Sequence, residues 1–277
     1  MDLELKNKVA IVTGGSKGIG KAIARELACE GADLVIAARG FQELKKTALE
    51  LANESGRRVI PLKADTSDIG QVTRMVNDTI SNLGKIDILI NNAAKPGGQS
   101  AVPSLNEITD NMFLEEINVK VLGYLRCAQL VAPYMMQQRW GRIINISGMA
   151  ARNSGSLIGS VRNVAVSAMT KNLADELGEH GINVTTVQPG LTSTEATSET
   201  IKRRANQENL TTDVVESSMS KGNSIFKLID AREVAYVVAF LASPKSISIT
   251  GDAFLARLTF SVPKKVTISR SNKNWKR

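Results

Sequence analysis

Val9-Ala-Ile-Val-Thr-Gly-Gly-Ser-Lys-Gly-Ile-Gly20 is the stretch that decides the fold. Its first five residues form an apolar, mostly β-branched run, the composition of a strand buried in a parallel sheet. Gly14, Gly18 and Gly20 follow, and Ile19, Ile23 and Leu27 then recur at helical spacing until Gly31 stops the helix. A strand, a glycine turn and a helix in that order make a cradle for a pyrophosphate. The glycines allow a tight turn and close approach of the backbone, and the helix N-terminus offers unpaired N–H groups to an anion. The spacing is GxxxGxG rather than GxGxxG, so the glycines alone are weak, and the strand–turn–helix context gives them their force. A dinucleotide is the expected ligand. Gly14, Ser16, Lys17, Gly18, Ile19 and Gly20 are its expected contacts.

The same alternation continues outward. Strands are expected at 34–37, 58–62, 86–90, 141–146, 182–187 and, last, 253–255. Helical patterns separate them at 41–52, from Ser67-Asp68 to 83, and at 110–138, 157–177 and 232–242. Such alternation implies parallel βαβ units. The expected fold is α/β: a Rossmann-type, doubly wound, mostly parallel seven-stranded sheet with helices on both faces. Residues 191–230 are polar and weakly periodic and read as a substrate lid with short helices. One dinucleotide-binding domain over 1–256 is expected, followed by a basic tail at 257–277.

Composition excludes several classes. At 43% hydrophobic residues the chain has the material for a sizeable core. It has no run of eighteen apolar residues, so no membrane span is expected. Its first residues, MDLELKNK, lack a basic and apolar leader, and the cytoplasm is the expected location. Cys29 and Cys127 lack metal-ligand spacing and read as reduced core residues. The single histidine, His180, falls in a helix-to-strand turn, so no metal site is expected. From Ala253 onward there are seven basic residues and no acid, which leaves roughly +1 of the formal +8 for everything before. The basic end reads as a solvated tail rather than a nucleic-acid surface.

The end of the second strand distinguishes the two dinucleotides. An NAD site places an acid there to hold the ribose hydroxyls. Here the positions read Ala38-Arg39, and a guanidinium suits a 2′-phosphate. Lys17 adds to the attraction. NADP is therefore preferred, with NAD left open and solvated cations as the plain alternative.

Set together, these motifs resemble the short-chain dehydrogenase/reductase family from about Lys6 to Gly251. The matching residues are Thr13-Gly-Gly-Ser-Lys-Gly-Ile-Gly20, Asp65, Asn91-Asn-Ala-Ala94, Asn118, Ser147 and Pro189-Gly190 with Thr194. The resemblance implies that Asp65 and Thr66 hold the adenine and that Asn91 and Ala93 lie along the adenosine ribose. It implies that Pro189, Gly190, Leu191 and Thr194 flank the nicotinamide. Ser147 would hydrogen-bond a substrate carbonyl, and Asn118 would hold a helix distortion and a water near the site. It favours a homodimer or homotetramer acting on a small molecule.

The family's acid–base pair is a tyrosine and a lysine four residues on, one helical turn apart. At those positions this chain carries Gly159 and Asn163. Its three tyrosines, Tyr124, Tyr134 and Tyr236, have no lysine four residues later, so the pair is absent rather than displaced. Arg162 is the candidate replacement: a poor acid, but a binder of oxyanions or carboxylates, with solvent or a subunit interface as the alternative. Asn163 retains the capacity to bond a ribose hydroxyl. Beyond Gly251 the chain also leaves the family pattern, with Asp252 followed by AFLARLTFSVPKKVTISR. Three functions stay open: a divergent NADP-dependent oxidoreductase of a carbonyl or alcohol, a non-catalytic NADP(H)-binding sensor or partner subunit, and a lyase or isomerase on the same fold.

Overall fold

The computed structural model describes residues 1–94, 102–154, 156–221 and 226–256. Strands β1 (Val9–Thr13), β2 (Asp33–Ala38), β3 (Val59–Lys63), β4 (Ile88–Asn91), β5 (Gly141–Ile146), β6 (Ile182–Pro189) and β9 (Ala253–Ala256) form one sheet. Their order is β3-β2-β1-β4-β5-β6-β9, and every pairing is parallel. The chain winds outward from β1 in both directions, which is the doubly wound Rossmann-type arrangement. The expected tail at 257–277 lies outside the described residues.

The period-two alternation of the strands assigns each face of the sheet to its own core. Ala10, Val12, Leu34, Ile36, Ile88, Ile90, Ile144 and Ile146 pack on one side. Their partners there come from α1 (Gly18–Cys29), α2 (Phe41–Ser55) and α9 (Ala231–Ala242). Val9, Ile11, Val35, Leu89, Ile143, Ile182 and Val184 face the opposite side, against α3 (Ile69–Leu83), α5 (Gly123–Gln138) and α6 (Leu157–Leu177). Both faces being covered explains why the strands read as nearly continuous apolar runs.

The single long helix expected over 110–138 is divided. Helix α4 (Asp110–Glu116) passes into a π-helical turn, Ile117–Leu122, before α5 begins. An inserted π turn shifts the helix face locally, which periodicity of apolar residues does not register. The lid contains α7 (Glu195–Glu208) and α8 (Thr212–Ser220), each capped at its start by a threonine, Thr194 or Thr211. Ile201, Ala205, Val215 and Leu228 give it a small core of its own. Short strands β7 (Thr192–Ser193) and β8 (Ile229–Asp230) pair and tie its two ends together.

Candidate active site

The glycine turn is held from two sides. Ala37 O at the end of β2 accepts from Gly14 N at 2.7 Å and from Gly15 N at 3.3 Å. From the end of β4, Asn92 Nδ2 donates to Thr13 O at 3.1 Å and Gly14 O at 3.2 Å. Asn92 lies inside the matched NNAA motif, yet no role was expected of it. Gly14 and Gly18 have φ of +68° and +58°, and a Cβ on Gly20 would stand 2.2 Å from Gly14 O. The turn therefore needs glycine at all three positions. Ser16 accepts from Thr47 Oγ1 at 2.9 Å through its carbonyl, and half-buried Ile19 anchors the helix start in the core.

The start of α1 has no side-chain cap of its own and no acid in its first turn. Its N–H groups are therefore left for partners from outside the helix, the arrangement of an anion site. Lys17 and Arg39 are exposed beside it, and neither has a partner among the described residues. Because β2 anchors the turn through Ala37, Arg39 emerges only two residues from that anchor.

Other positions implied by the resemblance divide into those that face the cleft and those that do not. Thr194 faces it, with its Cγ2 3.6 Å from where a Gly18 Cβ would be. Gly190 N bonds Ala256 O at 2.9 Å, so β9 fixes the chain just before exposed Leu191. Asp65 Oδ1 accepts from Ser67 N and Oγ at 2.9 and 2.7 Å, while Thr66 Oγ1 donates to Val119 O at 3.3 Å. Asn91 turns its side chain into the sheet. Its side chain is wholly buried and donates to Asn145 Oδ1 at 2.9 Å, bridging β4 to β5. Asn145 in turn donates to Thr170, which meets Thr186. A buried amide in a parallel sheet must find partners inside it, and this ladder supplies them. Asn118 sits in the π turn, where a helix distortion was expected. Both of its oxygens accept from Arg126, its carbonyl from Nη1 at 3.2 Å and Oδ1 from Nη2 at 2.8 Å.

Around Ser147 the polar groups converge. Ser147 N extends the β5–β6 ladder to Val187 O, and its Oγ donates to Asn163 O at 3.1 Å. Asn163 is 4% exposed, and its Oδ1 has no partner. Gly159 lies one turn earlier, and a Cβ there would meet Ser156 at 3.1 Å. Arg162 reaches neither solvent nor a free anion position. Its Nη1 bonds the carboxylate of Glu116 at the end of α4, while its Nε stays buried without a partner. Where Arg162 was expected to bind an anion, its guanidinium is paired with the Glu116 carboxylate in this structure. Burial lowers the Arg162 pKa.

Lys120 was not anticipated. Its ammonium is buried and donates to Ser147 O at 2.9 Å. Desolvation lowers its pKa from 10.5 to about 7. The signal was present in the spacing: Lys120, Tyr124, Cys127, Ala128 and Val131 recur at helical intervals, and the other four are core residues.

Comparison with known proteins fits this geometry. The short chain dehydrogenase pattern matches residues 8–205. The chain belongs to the short chain dehydrogenase family. It is 32% identical over 248 residues to short-chain reductase protein NovJ of Streptomyces niveus, covering 89% of this chain and 91% of NovJ. It is 30% identical over 247 residues to 3-oxoacyl-[acyl-carrier-protein] reductase FabG of Staphylococcus epidermidis, covering 88% and 95%. L-sorbose reductase of Gluconobacter frateurii, solved with NADPH and L-sorbose, superposes with a TM-score of 0.89 at 28% identity, covering 94% and 98%. As a short chain dehydrogenase the protein belongs to an oxidoreductase family, and the described residues contain no helix long and apolar enough to cross a membrane.

Proposed function

We propose that this short chain dehydrogenase is a divergent NADP-dependent oxidoreductase of a carbonyl or alcohol substrate, working without the tyrosine–lysine pair. The observation that carries the reading is the pairing of an α1 start that has no cap or acid of its own with two cations, Lys17 and Arg39, that have no partner among the described residues. Gly14 to Gly20 would hold the pyrophosphate and Arg39 the 2′-phosphate. Pro189 to Thr194 would border the nicotinamide, and the orphan Oδ1 of Asn163 fits a ribose hydroxyl as its missing donor. When bound, the nicotinamide supplies the hydride chemistry of the reaction.

The chain's own contribution centres on Ser147. Its hydroxyl, given to Asn163 O at rest, turns to donate to a substrate oxygen. Neither Gly159 nor Asn163 carries a proton to transfer, so that proton comes from water, either directly or relayed through Ser147 Oγ, which takes a water proton as it gives its own. A placed acid–base group contributes roughly 10²–10⁴-fold, so turnover is correspondingly slow. Calorimetry with NADPH, and NADPH oxidation over aldehydes, ketones and quinones for wild type and Ser147→Ala, tests the reading. Binding with turnover that falls in Ser147→Ala supports it. Binding with no turnover on any carbonyl class favours the second reading, a non-catalytic NADP(H) sensor. The Arg162–Glu116 pair beside the vacated tyrosine position supports that alternative.

Self-association belongs to the same proposal. Leu157, Val161 and Val164 form an exposed stripe on α6 at i, i+4 and i+7, accompanied by Leu114 and Leu122 across the α4–α5 junction. A homodimer or homotetramer covers such a stripe, and Val161→Glu with Val164→Glu is expected to lower the mass measured by light scattering. Cys127 is a buried core residue as expected, whereas Cys29, also expected in the core, is exposed at the end of α1; the two free thiols fit a reducing cytoplasm.

A further inference from the structure

The first N–H of α1 already has an anion. Gly18 N donates to Glu195 Oε2 at 3.0 Å across 177 residues of sequence. Glu195 is the first residue of α7, so the contact joins the phosphate turn to the lid. A carboxylate at the positive end of a helix lacking its own cap does electrostatically what a phosphate does. Both anions cannot share that place, because like charges in contact repel.

We propose that Glu195 is a latch: its carboxylate holds the lid on the phosphate turn until the cofactor's phosphate displaces it. The inference rests on the dinucleotide reading of the turn. Three features make the latch reversible. The pair is exposed, so the contact is weak and easily exchanged. Once released, the carboxylate stays in the first turn of α7, where that helix's own dipole favours an acid. It also borders a cleft of about 380 Å³ whose lining includes Arg232. Thr194, the cap of α7, precedes it and lies against Gly18, so the carboxylate and the lid's first turn meet the phosphate turn together. The lid would therefore report cofactor binding before any substrate arrives.

Calorimetry with NADPH on wild type, Glu195→Gln and Glu199→Gln tests the latch. Glu199 stands one turn further on α7, exposed, and makes the same change of charge without the contact. Removing the competing carboxylate is expected to tighten NADPH by about tenfold, the scale of one charge-assisted hydrogen bond, while Glu199→Gln stays within about twofold. In cofactor-free protein, hydrogen exchange at the start of α7 is expected to quicken in Glu195→Gln and not in Glu199→Gln. Equal affinities for wild type and Glu195→Gln, or equal tightening in both variants, overturns the latch and leaves the dinucleotide site standing. Failure of every variant to bind NADPH overturns both together.

Discussion

Arg162 on α6 and Glu116 at the end of α4 form an ion pair one helical turn from Gly159. The two side chains are 11% and 22% exposed, so neither is fully solvated. Removing only the acid leaves a guanidinium whose Nε already lacks a partner. Glu116→Ala is therefore expected to lower stability by about 2–4 kcal/mol, read as a lower urea midpoint with an unchanged slope. Arg162→Met combined with Glu116→Leu is expected to recover most of that loss. If Glu116→Ala is neutral, the pair does not close this corner of the site.

Restoring the acid–base pair tests how far the pocket has diverged. A side chain at 159 pushes first against Ser156, whose Oγ accepts from Gly159 N as the cap of α6, and this flexible serine can shift. Gly159→Tyr with Asn163→Lys is expected to raise carbonyl-dependent NADPH oxidation by roughly 10²–10⁴-fold over wild type. A folded, NADPH-binding double variant that stays inactive on every carbonyl would place the divergence in the lid instead.

Cofactor preference should follow Arg39. Its guanidinium is exposed and has no partner among the described residues, so replacing it removes no internal contact. Arg39→Asp is expected to weaken NADPH by about 10–100-fold while leaving NADH unchanged or tighter. Parallel titrations with the two dinucleotides measure the difference directly, and equal weakening of both would remove Arg39 from the 2′-phosphate site.

Lys120 gives a dependence on pH whose sign is fixed by burial. Its folded pKa is about 7 against an ordinary 10.5. Below about 7 both folded and unfolded chains hold the proton, and the buried charge costs stability. Between about 7 and 10.5 the unfolded chain binds the proton and the folded one does not, so stability rises with pH across that window. Lys120→Met is expected to remove this contribution and to stabilise the protein most at about pH 6.5 and least near pH 10. Urea midpoints at several pH values would show it, and parallel curves for wild type and variant would refute it.

The fold was legible because its determinants are local. Val9 to Thr13 is buried at every position, and the glycines of the turn stand where positive φ or close packing requires them. The expectation that Gly159 and Asn163 stand at the catalytic positions is equally local, since both lie on one helix with Ser147 twelve residues before the first. What stayed hidden depends on distant partners. Nothing in the runs around Glu116 and Arg162 announces that charges 46 residues apart will meet. Glu195 reads as an ordinary first-turn acid of a helix, and its second helix N-terminus is visible only in three dimensions. Asn91 illustrates a subtler limit: the motif located it correctly, but whether its amide faces the cleft or the sheet depends on Asn145 across the strand pair.

The last strand carries a consequence for how such a protein varies. β9 meets β6 in register from Thr186 with Ala253 to Pro189 with Ala256, and Gly190 N closes the series on Ala256 O. All of these links are made by peptide groups. Side chains along that edge can be exchanged while the chain entering the lid keeps its anchor. What is fixed there is the path of the chain, and its chemical lettering is free to change.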